Sequence, residues 1–239
     1  MLPGTSPSVM SSSRLLHQPL QNRYFIMRHG YSIANDNGLI VSLPENGIPS
    51  TGGATGEGWA LHERGKRQVY ESATRLSDHL FPASNTPLLV EPQVVIFCSP
   101  FIRTKQTADI LHSVLVSTSS LSGATIPAPE PNIVLRERGY GDYELQSDSN
   151  YDICWEEDAS ETHGENSSHH VESPRSVAER AAAFINEIES KMQGKTVVLV
   201  AHGDICQIIQ TLFTEDFEPW QHRQLPHVNT ADWRQLNTL

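Results

Sequence analysis

The stretch Tyr24–Ser32 reads YFIMRHGYS, four apolar residues that run straight into an arginine, a histidine and a glycine. An unbroken apolar run this short fits a strand buried on both faces, and such strands belong to parallel sheets covered by helices. A strand of that kind delivers whatever follows it to the carboxyl edge of the sheet, where open α/β folds bind ligands. Arg28 and His29 are therefore candidates for a site at that edge.

Working outward, the same pattern recurs. Val94 to Phe97 read as a second strand, ending in "CSPFIRTKQTA". "NIVLRERGYG", from Asn132, reads as a third short strand ending in charged residues, and "KTVVLVAHGD", from Lys195, as a fourth. Between them Val69, Ala73, Leu76 and Leu80 fall at helical spacing, as do Ala108, Leu111 and Leu115. Val177, Ala181, Phe184, Ile188 and Met192 predict another amphipathic helix, stopped by Gly194. Ile205, Ile208, Ile209 and Leu212 continue the last strand as a helix. Strands alternating with helices predict an α/β fold: a three-layer sandwich, a mostly parallel central sheet with helices on both faces.

Two segments stand apart. Residues 1–22 are rich in serine and proline and hold no acidic residue, and are expected to be a flexible N-terminal tail ahead of a single domain over 23–239. An organellar leader is the secondary reading, weakened because Arg14 is the only arginine before Arg23. From Asp142 to Glu172 the chain has many acids and no Lys or Arg, and its middle, "SETHGENSSHH", is expected to be a mobile loop.

The 239 residues carry a formal net charge of -11, with 17 Lys+Arg against 28 Asp+Glu. No basic patch offsets this, so no nucleic-acid partner is expected. The apolar runs are too short to cross a bilayer, so no membrane partner is expected either. Cys98, Cys154 and Cys206 show no CxxC spacing and suit a reducing compartment, which points to a cytoplasmic location. Cys98 and Cys206 are read as small buried fillers rather than nucleophiles.

Four predicted strand ends bring Arg28 and His29, Arg103, Glu137 beside Arg138, and His202 to one edge. Two histidines, several arginines and a carboxylic acid around one spot describe a pocket for a doubly charged oxyanion, because guanidinium forks bind phosphate bidentately. With "RHGYSIAN" and its Asn35, "LHERGKRQ", "SPFIRTKQTA", "LRERGYG" and "VAHGD" in order, the chain resembles the histidine phosphatase superfamily, also called the phosphoglycerate mutase-like family. Its small phosphatase-like members are the nearest match to this arrangement.

That resemblance implies a metal-independent phosphomonoester hydrolase with no cofactor. His29 is implied as nucleophile, forming a phosphohistidine, with the other ring nitrogen donating to a backbone carbonyl. Arg28, Arg103 and His202 are implied to surround the phosphoryl oxygens, with Asn35 and Arg138 as further phosphate-binding residues. Glu137 is the expected general acid and base; strand alternation would turn Arg136 and Arg138 away from it. Glu144, Asp142 and Asp204 are weaker candidates for that acid, and Asp204 is expected to cap the helix after His202.

Tyr31 stands where the family commonly carries an acidic or amide residue. The mutases' basic insertion after the acid motif is replaced here by the acidic segment, which favours hydrolysis. The alternatives are a mutase-type phosphotransferase and a low-activity module that binds through the phosphate pocket. The expected partner is a small phosphorylated metabolite or a phosphoprotein. Tyr140, Tyr151 and Trp155 are candidates to line the entrance, and the acidic walls are expected to disfavour highly anionic substrates.

Overall fold

A computed structural model describes residues 15–49, 59–82, 93–119 and 126–238. Residues 1–14, the first part of the expected tail, lie outside them. In chain order the elements are β1 (Arg23–Arg28), α1 (Ile33–Asp36), α2 (Pro44–Gly47), α3 (Glu63–Leu80), β2 (Gln93–Cys98) and α4 (Ile102–Ser119). They continue with β3 (Glu130–Pro131), α5 (Asn150–Ala159), α6 (Pro174–Lys191), β4 (Lys195–Ala201), α7 (Gly203–Thr211) and β5 (Trp233–Gln235).

The five strands order as β3-β2-β4-β1-β5. β4 lies at the centre, parallel to β1 on one side and to β2 on the other, and only β5 runs antiparallel. Its seven residues KTVVLVA are buried from Thr196 onward, which is why their apolar run shows no alternation. Alternate side chains nevertheless go to opposite faces. Tyr24, Ile26, Val197 and Leu199 pack with Val177, Ala181, Phe184 and Ile188 of α6 and with Ile205, Ile208 and Ile209 of α7. Phe25, Met27, Val198 and Val200 pack with Val69, Ala73 and Leu76 of α3 and with Ala108, Leu111 and Leu115 of α4. This is the three-layer arrangement that the sequence pattern predicts.

Two expectations need correction. The stretch read as a tail is packed in its described part: Leu16 is buried against the α6 and α7 side of the core, the Gln21 backbone N–H donates to Glu189, and Asn22 is buried. Asn22 donates to Glu189 and to the Met192 carbonyl and accepts from the Lys195 N–H, so a polar side chain closes the gap between α6 and β4. The strand expected over "NIVLRERGYG" is a single 3-10 turn, Ile133–Leu135, followed by irregular chain. The sheet edge is already closed by the two residues of β3, one of them a proline. The acidic segment contains α5, with Cys154 and Asp158 buried, ahead of the loop expected over residues 160–170, which holds no helix or strand; its turns are tied by backbone bonds such as Gly164 N–H to Glu157 C=O and Glu172 N–H to Gly139 C=O. It forms a third, small cluster with Ile40, Tyr140, Tyr143 and Val171.

Candidate active site

β1 and β4 end side by side, Arg28 opposite Ala201, so His29 and His202 leave the sheet as neighbours. Their rings meet edge to face with centroids 5.3 Å apart. Arg103, in the first turn of α4, reaches the same point from the end of β2. The loop carrying His29 is held by a backbone-to-backbone fit with the start of α3. A Cβ at Gly65 would lie 1.9 Å from the Tyr31 carbonyl oxygen, and one at Gly30 would lie 2.6 Å from Val69 and 2.7 Å from the Gly65 carbonyl oxygen. The glycines of "RHG" and "ERG" therefore serve one close approach.

His29 is buried, and its Nδ1 lies 2.8 Å from the Gly30 carbonyl. A carbonyl only accepts, so Nδ1 carries the hydrogen and Nε2 presents its lone pair. Into that lone pair Arg103 Nε donates at 3.1 Å. Burial, together with the charges of Arg103 and Arg28, holds the imidazole well below its ordinary value, so the ring is neutral at physiological pH. His202 is held low in the same way by burial, Arg103 and His29. Its Nε2 lies 2.8 Å from the Ser99 hydroxyl, and its Nδ1 is buried without a partner.

Two more buried donors around this point lack partners: Arg28 Nε and Arg103 Nη1. Each guanidinium is anchored on a backbone carbonyl, Arg103 Nη2 on Val41 at 2.7 Å and Arg28 Nη1 on Val228 at 3.1 Å. Buried polar hydrogens are nearly always paired. Fixed, unsatisfied cationic donors beside a neutral imidazole lone pair are what a tetrahedral oxyanion would complete.

Glu137 is buried, and its Oε1 accepts from the backbone N–H of Arg138 at 2.9 Å and of Ile205 at 3.3 Å. Burial and the charge of Asp204 raise its pKa, against the pull of those N–H groups and Arg103. Neither flanking arginine pairs with it, although no strand turns them away. Arg136 lies on Glu172, at 3.0 and 3.1 Å. Arg138 makes a bidentate pair with Asp158 at 2.6 and 2.7 Å, contacts Asp204 at 3.2 Å, and donates from Nε to the Glu172 carbonyl.

Arg138 is accordingly not placed to bind phosphate. It is 1% exposed and every guanidinium nitrogen is engaged. Asp204 does not cap α7 either: the N-cap, His202, offers no side-chain cap, and the Asp204 carboxylate takes the Tyr140 hydroxyl, the Trp155 indole N–H and Arg138. Burial pushes Asp204 up, but His222, Arg138 and those donors outweigh it and hold the carboxyl at about 2. Tyr140, fully buried, lines no entrance. Glu144 is tied to Ser42 and Asn46, and exposed Asp142 lies near His169 and His170. Asn35 Oδ1 closes the capping box of α1 with Ser32, so its acceptor oxygen is committed to the loop.

Residues that motif reading passed over complete the surroundings. The Ser99 hydroxyl lies against His202 Nε2 and holds the ring in place. The Thr107 hydroxyl accepts from the Gly30 N–H. Glu172 gathers Arg136, Arg180 and the Gly139 N–H behind the acid segment. Tyr151 and Trp155 of α5 stack with ring centroids 5.5 Å apart. Cys98 and Cys206 are buried, and burial pushes the Cys98 thiol up to about 12. Among the described residues no three His, Cys, Asp or Glu side chains converge as a metal-ion site, and no helix is long and apolar enough to cross a membrane.

Residues 24–238 match the family described as histidine phosphatase superfamily (branch 1). Solved structures of similar fold include a mycobacterial glucosyl-3-phosphoglycerate phosphatase complexed with VO3 (22% identity, 90% of each chain covered, TM-score 0.62). A phosphoserine phosphatase from Entamoeba histolytica, in complex with 3-phosphoglyceric acid, is 16% identical over 89% of this chain and 88% of that one, TM-score 0.61. A putative alpha-ribazole-5'-P phosphatase from Escherichia coli is 18% identical over 89% and 88%, TM-score 0.57. No curated protein matches the chain.

Proposed function

The chain belongs to branch 1 of the histidine phosphatase superfamily, and from that membership we propose that it hydrolyses phosphomonoesters without a metal, through a phosphohistidine on His29. The observation that carries this reading is the His29 Nε2 lone pair, left free of the ring hydrogen by the Nδ1–H bond to Gly30, met by Arg103 Nε, and set beside buried donors that lack acceptors. In the first step Nε2 attacks phosphorus in line, the ester P–O bond breaks, and Glu137 gives its proton to the departing oxygen. In the second, Glu137 takes a proton from water as the water oxygen displaces Nε2. Arg28, Arg103 and His202 hold the three phosphoryl oxygens through both steps, where charge is spread over them.

The raised pKa of Glu137 and the lowered pKa of His29 are both in the sense this chemistry needs: acid protonated, nucleophile neutral. A substrate class of small phosphorylated metabolites is in keeping with what the solved phosphatases of this fold are named for. The test is phosphate release from an activated aryl phosphate with a chelator present, comparing the native protein with His29→Ala. Turnover that resists chelator, vanishes in the variant and leaves an acid-labile phosphoryl label on the quenched native protein is expected. Turnover that survives in His29→Ala overturns the proposal.

A further inference from the structure

Next to the phosphate pocket lies a basic group that this reaction leaves unused. Arg223 and His227 follow α7, and Arg234 lies in β5. His227 stands between two guanidinium groups, with Arg28 Nη1 3.3 Å from Nε2 and Arg223 Nη1 3.4 Å from Nδ1. A neutral imidazole has one lone pair and one N–H. It accepts from one arginine, and toward the other its N–H faces another N–H. Protonation does not relieve this, because burial and the charges of Arg28 and Arg223 lower the His227 pKa. The backbone carbonyls of Val228 and His227 take one donor each from Arg28 and Arg234.

Asp204 pulls the His227 pKa the other way, against the arginines, but no ion pair joins Asp204 to His227 among the described residues. The chain holds 28 acids and a net charge of -11. Yet among the described residues none forms an ion pair with Arg28, Arg223 or Arg234, although Asp232 nearby pairs with Arg75. The Nε atoms of Arg28 and Arg234 are buried without partners. Arg223 is exposed but held: its Cζ lies 3.8 Å over the Trp155 ring, and Trp155 is fixed by its bond to Asp204 and its stack on Tyr151. A preorganised cation without a counter-charge, one imidazole away from the Arg28 that serves the phosphate, matches an anion on the substrate.

We propose that Arg223 and His227, with Arg28 between them and the phosphoryl group, form a second anion subsite, so that the substrate is a phosphomonoester carrying a further carboxylate or phosphate. This rests on the phosphatase reading, and it replaces the expectation that acidic walls repel highly anionic substrates. The basic residues come from the chain's last quarter, not from a segment after the acid motif.

The test reads binding rather than turnover, so it stands apart from the activity assay. Titration calorimetry on the His29→Ala protein compares propyl phosphate, 3-(phosphonooxy)propanoate and propane-1,3-diyl bisphosphate, which differ only at the far end. We expect one or both doubly anionic ligands to bind about five- to tenfold tighter than propyl phosphate, the size an exposed charge-assisted contact supplies. The better of the two identifies the second group. Adding Arg223→Gln should bring that ratio close to one, and Arg223→Lys, which keeps the charge, should retain part of it. A ratio near one in His29→Ala itself, or a ratio that Arg223→Gln leaves intact, overturns the subsite. Absence of aryl phosphate turnover with the ratio preserved would instead sink the hydrolase reading and leave the subsite standing.

Discussion

Replacing Arg138 by methionine separates two roles for the residue after the catalytic acid. In the structure its guanidinium binds both oxygens of Asp158 and one of Asp204, and the two carboxylates are 1% and 4% exposed. Methionine keeps an unbranched chain of similar reach and removes the charge, so two buried carboxylates are left facing each other. Breaking a buried ion pair from one side costs about 3–5 kcal/mol. At about 2–4 °C per kcal/mol for a domain of this size, the melting temperature should fall by about 10 °C.

The pH dependence gives that loss a signature. Burial pushes the Asp158 carboxyl up to about 6 against the pull of Arg138, so the folded protein holds that proton more tightly than the unfolded chain does. A raised carboxyl gains stability as pH falls through its folded pKa, and removing Arg138 raises it further. The deficit of Arg138→Met relative to the native protein should therefore be largest at alkaline pH and narrow below pH 6, as Asp158 becomes protonated in both. Thermal melts at pH 8, 7, 6 and 5 measure it, and adding Asp158→Asn should restore part of the loss at pH 8. A variant that melts within about 2 °C of the native protein while its KM for a phosphate ester rises would refute the structural role. It would reinstate Arg138 as a phosphate ligand.

Glu137→Gln should lower kcat for an alkyl phosphate by about 10²- to 10⁴-fold, the usual worth of a positioned acid, and much less for an aryl phosphate whose leaving group needs no proton; equal losses would count against the acid role. Because Glu137 must be protonated and its pKa is raised, while His29 is held neutral far below pH 6.5, kcat/KM should fall as pH rises through the Glu137 pKa and show no histidine-type loss on the acid side. A loss on the acid side centred near 6.5 would contradict this. Gly65→Ala puts a methyl 1.9 Å from the Tyr31 carbonyl and should destabilise by about 1–3 kcal/mol while lowering kcat/KM through the displaced His29 loop, readable by melting and turnover on one sample. Ser99→Ala frees His202 Nε2 from its hydroxyl and should weaken inhibition by inorganic phosphate by roughly fivefold, whereas unchanged inhibition would mean that Ser99 does not orient the ring.

What local chemistry dictates was legible in the chain. β1, β2 and β4 are apolar runs too short and too β-branched or aromatic to be anything but buried strands, and α3, α4, α6 and α7 carry their core faces at helical spacing. The residues that follow those strands, Arg28, His29, Arg103 and His202, meet because parallel strands end on one edge. Glu137 was recognisable by type and motif, but its surroundings were not. The sequence neighbours Arg136 and Arg138 find their counter-charges at Glu172, and at Asp158 and Asp204, far away in sequence. Since Asp158 and Glu172 lie in a polar segment without core periodicity, nothing local marked α5 as packed structure. Nor did anything local show that a buried cation would order it. Residues 15–22 and the C-terminal segment through β5 are likewise held by long-range bonds, Asn22 to Glu189 and Arg28 to Val228 among them. Strand and helix identity follow from side chains close in sequence; which charge meets which, and which arginines are left without a carboxylate, is decided only when remote segments pack.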